Sequence, residues 1–186
     1  MTADKAPRVP PVPMDVYRSL VRDRLGEEIP DGAFVRNVAR TWAHHPDLMA
    51  AQRPLQKQLV GKGVLPPRER ELAILRIGWR CGSEYEFGQH SRIGQRAGLT
   101  ESEVRRVAVG PGDPGWGEFD ALILTAVDEL FEQHGLSDTT WTALTSRYDT
   151  AAMIEFVSLV GRYWTVSVVL NTLGVQLEPG TEGFPP

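Results

Sequence analysis

Three ionisable side chains, Glu71, Glu86 and His90, stand where the sequence pattern calls for apolar ones. They lie in RERELAILRIGWRCGSEYEFGQHSRIGQRAGL, residues 68–99, which reads as two helices joined at Cys81-Gly82. At roughly 100° per residue, Glu71 falls among Ile74, Leu75, Gly78 and Trp79 in the apolar arc of the first helix, and Arg76, Arg80 and Glu69 fall on its opposite side. On the second helix Glu86 and His90 share an arc with Phe87, Ile93, Gly94 and Ala97. A charge buried without a partner is costly, so these groups must meet one another or a ligand.

The chemistry such a set could do is proton transfer. Helices joined by a tight turn run antiparallel, and Glu71 and His90 both lie about two turns from the joint, so they can face each other. A carboxylate beside an imidazole in an apolar pocket has its proton affinity tuned by charge and desolvation, which suits acid–base work near neutral pH. Tyr85 and Ser83 would add hydroxyls at the rim to orient a substrate. Plainer roles compete. Ser83-Glu84-Tyr85-Glu86 has the form of a capping box, His90 could be a satisfied core histidine, and Glu71 could pair with an arginine such as Arg162. Cys81 is a candidate nucleophile, but its flanks resemble those of a buried small apolar residue.

The elements that must position these groups are helical throughout. Residues 1–13 carry four prolines and read as an extended arm, either a tail or a strand of chain draped over its own domain or a neighbour. A single all-α domain is expected over residues 14–175, followed by a C-terminal arm, 176–186. Within it, Met14–Leu25 is a short helix. Asp31 could cap a second, with Phe34, Val35, Val38, Ala39 and Trp42 at helical spacing, and a third starts near Asp47. Thr100-Glu101-Ser102-Glu103 is a capping box, and Gly110 to Gly115 is the strongest break in the chain. Beyond it an amphipathic helix runs from Phe119 to Phe131, and Ser137 or Asp138 caps another, with Trp141 and Leu144 facing inward. The last pattern, residues 150–173, is apolar nearly all round, as for a helix buried on several sides, partly by another subunit.

At 186 residues with a net charge of −4, the chain can bury a sizeable core and offers no dedicated surface for nucleic acid or anionic membrane. One cysteine excludes an intrachain disulfide and suits a reducing compartment. Glu155 and Arg162 interrupt the most hydrophobic region, so no membrane span is expected, and residues 1–20 lack a signal-type apolar core. A cytoplasmic location is the resulting expectation. Adjacent His44 and His45 point about 100° apart on a helix and cannot share one ion, which favours a helix-end cap over a metal site. SRIGQRAGLTESEVRRV has some look of a helix-turn-helix, but the net charge and the inward placement of Glu86 and His90 argue against DNA binding.

The stretch LPPRERELAILRIGWRCGSEYEFGQHSRIGQRAGLTESEV, within a likeness covering roughly Phe34 to Val175, resembles the helical hairpin of the carboxymuconolactone decarboxylase family, which includes the alkylhydroperoxidase D-like proteins. That family's E…CxxCxxxH pattern, laid on by spacing from His90, puts its glutamate on Glu71 and a further relay position on Tyr85. Its two redox cysteines fall on Ser83 and Glu86, so the thiol pair that peroxidase members use is absent, and Cys81 is out of register with both. The resemblance implies an all-α helical bundle and a homo-oligomer with sites near subunit contacts. It also implies acid–base chemistry of lyase, isomerase or hydrolase type on a small organic acid or lactone, without metal or organic cofactor. The competing expectations are a thiol peroxidase using Cys81 and a non-catalytic binding module.

Overall fold

The computed structural model describes residues 6–185, which contain helices and no strand. Residues 1–5 and 186 of the two expected arms lie outside the described residues. The centre is α4, Pro67–Arg80, which packs against four others: α5 (Glu84–Arg96), α6 (Glu101–Val109), α7 (Glu118–Gln133) and α9 (Thr150–Leu173). Leu72, Ala73, Ile74, Leu75 and Ile77 of α4 are fully enclosed. A helix surrounded this completely must bury its polar side too. Arg76 forks onto Asp128 of α7 with two bonds of 2.7 Å and donates to Val107 O at 2.6 Å. Glu69 accepts from Tyr148 Oη at 2.6 Å and from Arg147. The face opposite Glu71 is therefore interior as well, made tolerable because each buried charge has a partner.

The turn between α4 and α5 follows from one glycine. Gly82 takes φ 60°, a conformation that costs glycine little. Its amide donates to Trp79 O at 2.9 Å, and Ser83 N donates to Gly78 O at 2.9 Å, the paired bonds of a Schellman stop. The chain then reverses so tightly that α5 lies along α4. A Cβ on Gly94 would meet Leu99 Cδ1 at 2.9 Å and lie 3.6 Å from Glu71 Cβ, so a glycine there allows α5 to close over Glu71.

A second, smaller layer covers the outside of α5 and α9. It contains α1 (Met14–Leu25), α2 (Asn37–Trp42) and α3 (Pro46–Gly61), with its own apolar cluster of Val12, Tyr17, Val21, Ala43 and Met49. Here the structure departs from the expected boundaries. α2 begins at Asn37 rather than after Asp31, because residues 31–36 hold a turn and an extended approach, and Phe34 stays 74% exposed. His45 caps α3 by accepting from Leu48 N at 3.3 Å, and His44 Nε2 sits 2.9 Å from Pro10 O, so each histidine engages backbone. Before α1, Arg8 N and Val9 N bond Leu173 O, which lays residues 8–9 along the end of α9.

α8, Asp138–Thr145, is capped by Ser137 and buries Leu144, but its Trp141 is exposed because no element packs over that side. α9 is long and apolar enough to cross a membrane by length and composition, with 44% of its most apolar window buried against the bundle. Its inner face carries Phe156, Leu159 and Tyr163; Ile154, Val157, Trp164 and Val168 remain exposed on the outer one. After α9 the chain crosses back over α5. Glu178 is buried there, and Phe184 packs edge-on against Trp79 and Phe87 at 4.8 and 5.4 Å.

Candidate active site

The hairpin brings Glu71, His90 and Glu86 into direct contact. His90 Nδ1 lies 2.6 Å from Glu71 Oε2, and His90 Nε2 lies 3.0 Å from Glu86 Oε1. The second contact follows from the one-turn spacing on α5, and the first from the matched heights of Glu71 and His90 on either side of the Gly82 turn. Arg70 Nε also donates to Glu71, at 3.1 Å, so Arg70 rather than Arg162 is the arginine beside Glu71. Tyr163 meets the His90 ring edge-on at 5.0 Å and fixes its plane.

With a carboxylate on each ring nitrogen, the imidazole is held as an imidazolium. Burial by itself would lower its pKa. The charge of Glu86 and the hydrogen bonds to Glu71 and Glu86 outweigh that and push it up to about 9. For Glu71, burial acts to raise the pKa, but the hydrogen bond and charge of His90, with Arg70 behind them, hold it below the usual carboxylate value. The three groups thus differ in station. Glu71 is 1% exposed and stands behind the ring, while His90 and Glu86 line a cavity.

That cavity, of about 260 Å³, opens at the seam between the two layers. Its walls are α2, α3, α5 and α9, with Val38, Ala39, Trp42, Met49 and Val166 among the apolar residues of the lining. Among the described residues no group of metal-binding side chains clusters, there or elsewhere.

Two of the residues expected to orient a substrate stand differently. Ser83 is fully enclosed, is absent from the cavity wall and leaves its Oγ without a partner. It precedes α5 but makes no side-chain cap bond. Its ψ of 88° departs from the extended cap geometry, and Glu86 is turned toward His90 instead of back to the cap amide. The capping-box reading of these residues is therefore corrected. Tyr85 does line the cavity, but its hydroxyl is engaged: it donates to Glu178 at 2.6 Å and accepts from Val38 N at 3.2 Å. Burial, then the bond to Glu178, raise its pKa. Tyr85 pins α2 against α5 and so shapes the wall.

Arg36, Gln52 and Arg162 also line the cavity, and the pattern arguments did not place them there. A signal existed for Arg162, a charge within the otherwise apolar stretch of α9. Cys81 lies at the α4–α5 joint outside the cavity wall, and burial pushes its thiol up to about 11.

The model of the carboxymuconolactone decarboxylase family matches residues 46–122, from the start of α3 into α7, and so takes in Glu71, Glu86 and His90 together. Over that stretch the chain is similar to the carboxymuconolactone decarboxylase family. The fold agrees over nearly the whole chain. An uncharacterized peroxidase-related protein from Silicibacter sp. TM1040 superposes with a TM-score of 0.75 at 14% identity, covering 99% of this chain and 98% of that one. An alkylhydroperoxidase AhpD core, an uncharacterized peroxidase-related protein from Ralstonia eutropha JMP134, gives 0.72 at 20% identity over 90% and 87% of the two chains. The debrominase Bmp8, in a complex with 2,3,4-tribromopyrrole, gives 0.67 at 20% identity over 92% and 91%. No curated protein matches the chain. The protein is an all-α, AhpD-like helical bundle. The group beside His90 Nε2 is the carboxylate of Glu86.

Proposed function

We propose that the protein is a cofactor-independent acid–base enzyme that acts on a small organic acid or lactone, by decarboxylation, isomerisation or hydrolysis. One observation carries this reading: His90 is held between two carboxylates, with one of them, Glu86, facing a cavity. Glu86 takes a proton from substrate carbon or from an attacking water. His90 stores a proton and steadies the charge on Glu86, and Glu71 holds the imidazolium in place from behind. In a decarboxylation the C–C bond breaks, carbon dioxide leaves, and the electron pair stays on the substrate. A proton from His90, relayed through Glu86, then closes that carbon. The match of residues 46–122 to the carboxymuconolactone decarboxylase family model supports the same direction. The peroxidase alternative finds no support at the cavity, since Cys81 lies outside its wall with its thiol raised.

The test is turnover of a panel of small lactones and carbon acids by the wild-type protein and by Glu86→Gln and His90→Gln. Loss of a general acid–base group costs about 10²–10⁴ in rate, and either variant should fall by that much with its fold intact. Undiminished turnover in both variants removes the reading.

A further inference from the structure

Among the described residues few buried side-chain polar atoms lack a partner, and two of them belong to residues that line the same cavity. They are Arg162 Nε on α9 and Gln52 Oε1 on α3, each shut off from solvent without a hydrogen-bond partner. Other guanidiniums are held by carboxylates: Arg76 forks onto Asp128, Arg68 bridges Asp120 and Glu103, and Arg18, whose Nε is also stranded, pairs with Asp31 through Nη1. Arg162 has Glu86 near enough to feel its charge, but the ion pair of Glu86 is with His90, so that carboxylate is already spent. A half-buried guanidinium with an unanswered Nε is costly unless something else supplies an acceptor.

The rest of the wall narrows what that partner can be. Arg36 stands exposed on the same cavity and His90 is held protonated, whereas among the described residues Glu86 is the only carboxylate in the lining. Arg53 also borders it, but pairs with Glu27 at 2.9 Å. The cavity is therefore cationic, and an anion is favoured. Val38, Met49, Val166 and Trp42 present an apolar, partly aromatic surface for the remainder of the ligand. At about 260 Å³ the space sits just below the roughly 300–1,000 Å³ usual for ligand sites, which limits the occupant to about one ring.

We propose that the cavity takes a single-ring carboxylic acid bearing a hydroxyl group, with the carboxylate seated on Arg162, the hydroxyl donating to Gln52 and the ring against Trp42 and Met49. The inference rests on the reading of this cavity as the substrate site and supplies what that reading lacks, the residue that selects the substrate. Guanidinium is suited to the task because its planar fork matches a carboxylate with two parallel bonds. Burial lowers the Arg162 pKa somewhat, with Tyr163 and Glu86 opposing, yet a guanidinium stays charged at any working pH. Arg36 and Arg162 both lie outside residues 46–122, so the guanidinium that would seat the carboxylate comes from beyond the matched stretch, while Gln52 lies within it.

Titration calorimetry with benzoate, 4-hydroxybenzoate and the neutral isostere benzamide tests this. The wild-type protein should bind benzoate at least tenfold more tightly than benzamide, and 4-hydroxybenzoate more tightly still. Arg162→Gln should abolish the preference for benzoate over benzamide, Arg162→Lys should restore part of it, and Gln52→Leu should remove the advantage of the hydroxyl. Thermal melts of each variant report folding, and the wild-type comparison of benzoate with benzamide needs no variant. Equal binding of benzoate and benzamide, no binding of benzoate, or benzoate affinity unchanged in folded Arg162→Gln would each overturn the inference. Binding and turnover separate the two readings. Benzoate seated on Arg162 with no turnover of any acid or lactone would sink the acid–base reading alone, and turnover without a benzoate preference would sink this one alone.

Discussion

Removing the proton from His90 should cost the fold measurable stability. The imidazole titrates near 6.5 in an unfolded chain and is raised to about 9 here, where it is enclosed and flanked by Glu71 and Glu86. A group whose pKa is raised on folding gives stability that is fully present below its unfolded value and disappears as the pH climbs through its folded one. The window for His90 therefore opens near 6.5 and closes above 9. At 1.36 kcal/mol per unit, the full contribution is about 3 kcal/mol, of which roughly 2–3 kcal/mol is lost between pH 7 and pH 10. His90 is only 8% exposed, so solvent screening takes little from that figure. Glu71 acts in the opposite sense. Its pKa is lowered on folding, so its contribution is present above the ordinary carboxylate range and fades as the solution is acidified through its depressed folded value. Urea unfolding at pH 7 and pH 10 for the wild-type protein and His90→Gln isolates the histidine: the wild type should lose roughly 2–3 kcal/mol more than the variant across that interval. Parallel alkaline limbs for the two proteins would refute the imidazolium between carboxylates.

Glu178 accepts from Tyr85, Gln89 and the amide of Asn37, so it ties the C-terminal segment and α2 to the cavity wall. Glu178→Ala strands those donors and should cost about 2–4 kcal/mol in urea unfolding, with faster hydrogen exchange at Asn37 and Val38. Arg76→Ala leaves Asp128 without its forked partner in a mostly buried site, and breaking a buried pair of this kind costs about 3–5 kcal/mol. The same unfolding measurement checks it. The exposed stripe of Ile154, Val157, Trp164 and Val168 along α9 is the surface on which we expect a homo-oligomer to close. Val168→Glu should lower the sedimenting mass while leaving the helical circular dichroism unchanged.

The hairpin was legible in the sequence because its two rules are local. Helical spacing placed Glu71 and His90 on facing arcs, and Gly82 could be read as a stop. The Thr100–Glu103 capping box is present as both of its reciprocal bonds, for the same reason. What could not be read depended on contacts distant in the chain. Ser83 has the right type and spacing for a cap, but the Schellman turn before it fixes a backbone angle that aims its side chain elsewhere. The hydroxyl of Tyr85 is consumed by Glu178, 93 positions away, and Arg76 and Glu69 looked like solvent-face charges until α7 and Tyr148 covered them. Phe34 and Trp141 matched helical spacing but lacked an element to pack against them. Arg162 reaches the cavity only because α9 passes beside α5, a pairing that periodicity does not encode.

The protonation state of His90 can be read directly. In long-range ¹H–¹⁵N spectra of the ¹⁵N-histidine-labelled protein, assigned by comparison with His90→Gln, both ring nitrogens of His90 should be protonated at pH 7 and titrate near 9. A neutral ring with one bare nitrogen at pH 7 would contradict the account, because no proton would then be held between Glu71 and Glu86 for the cavity to use.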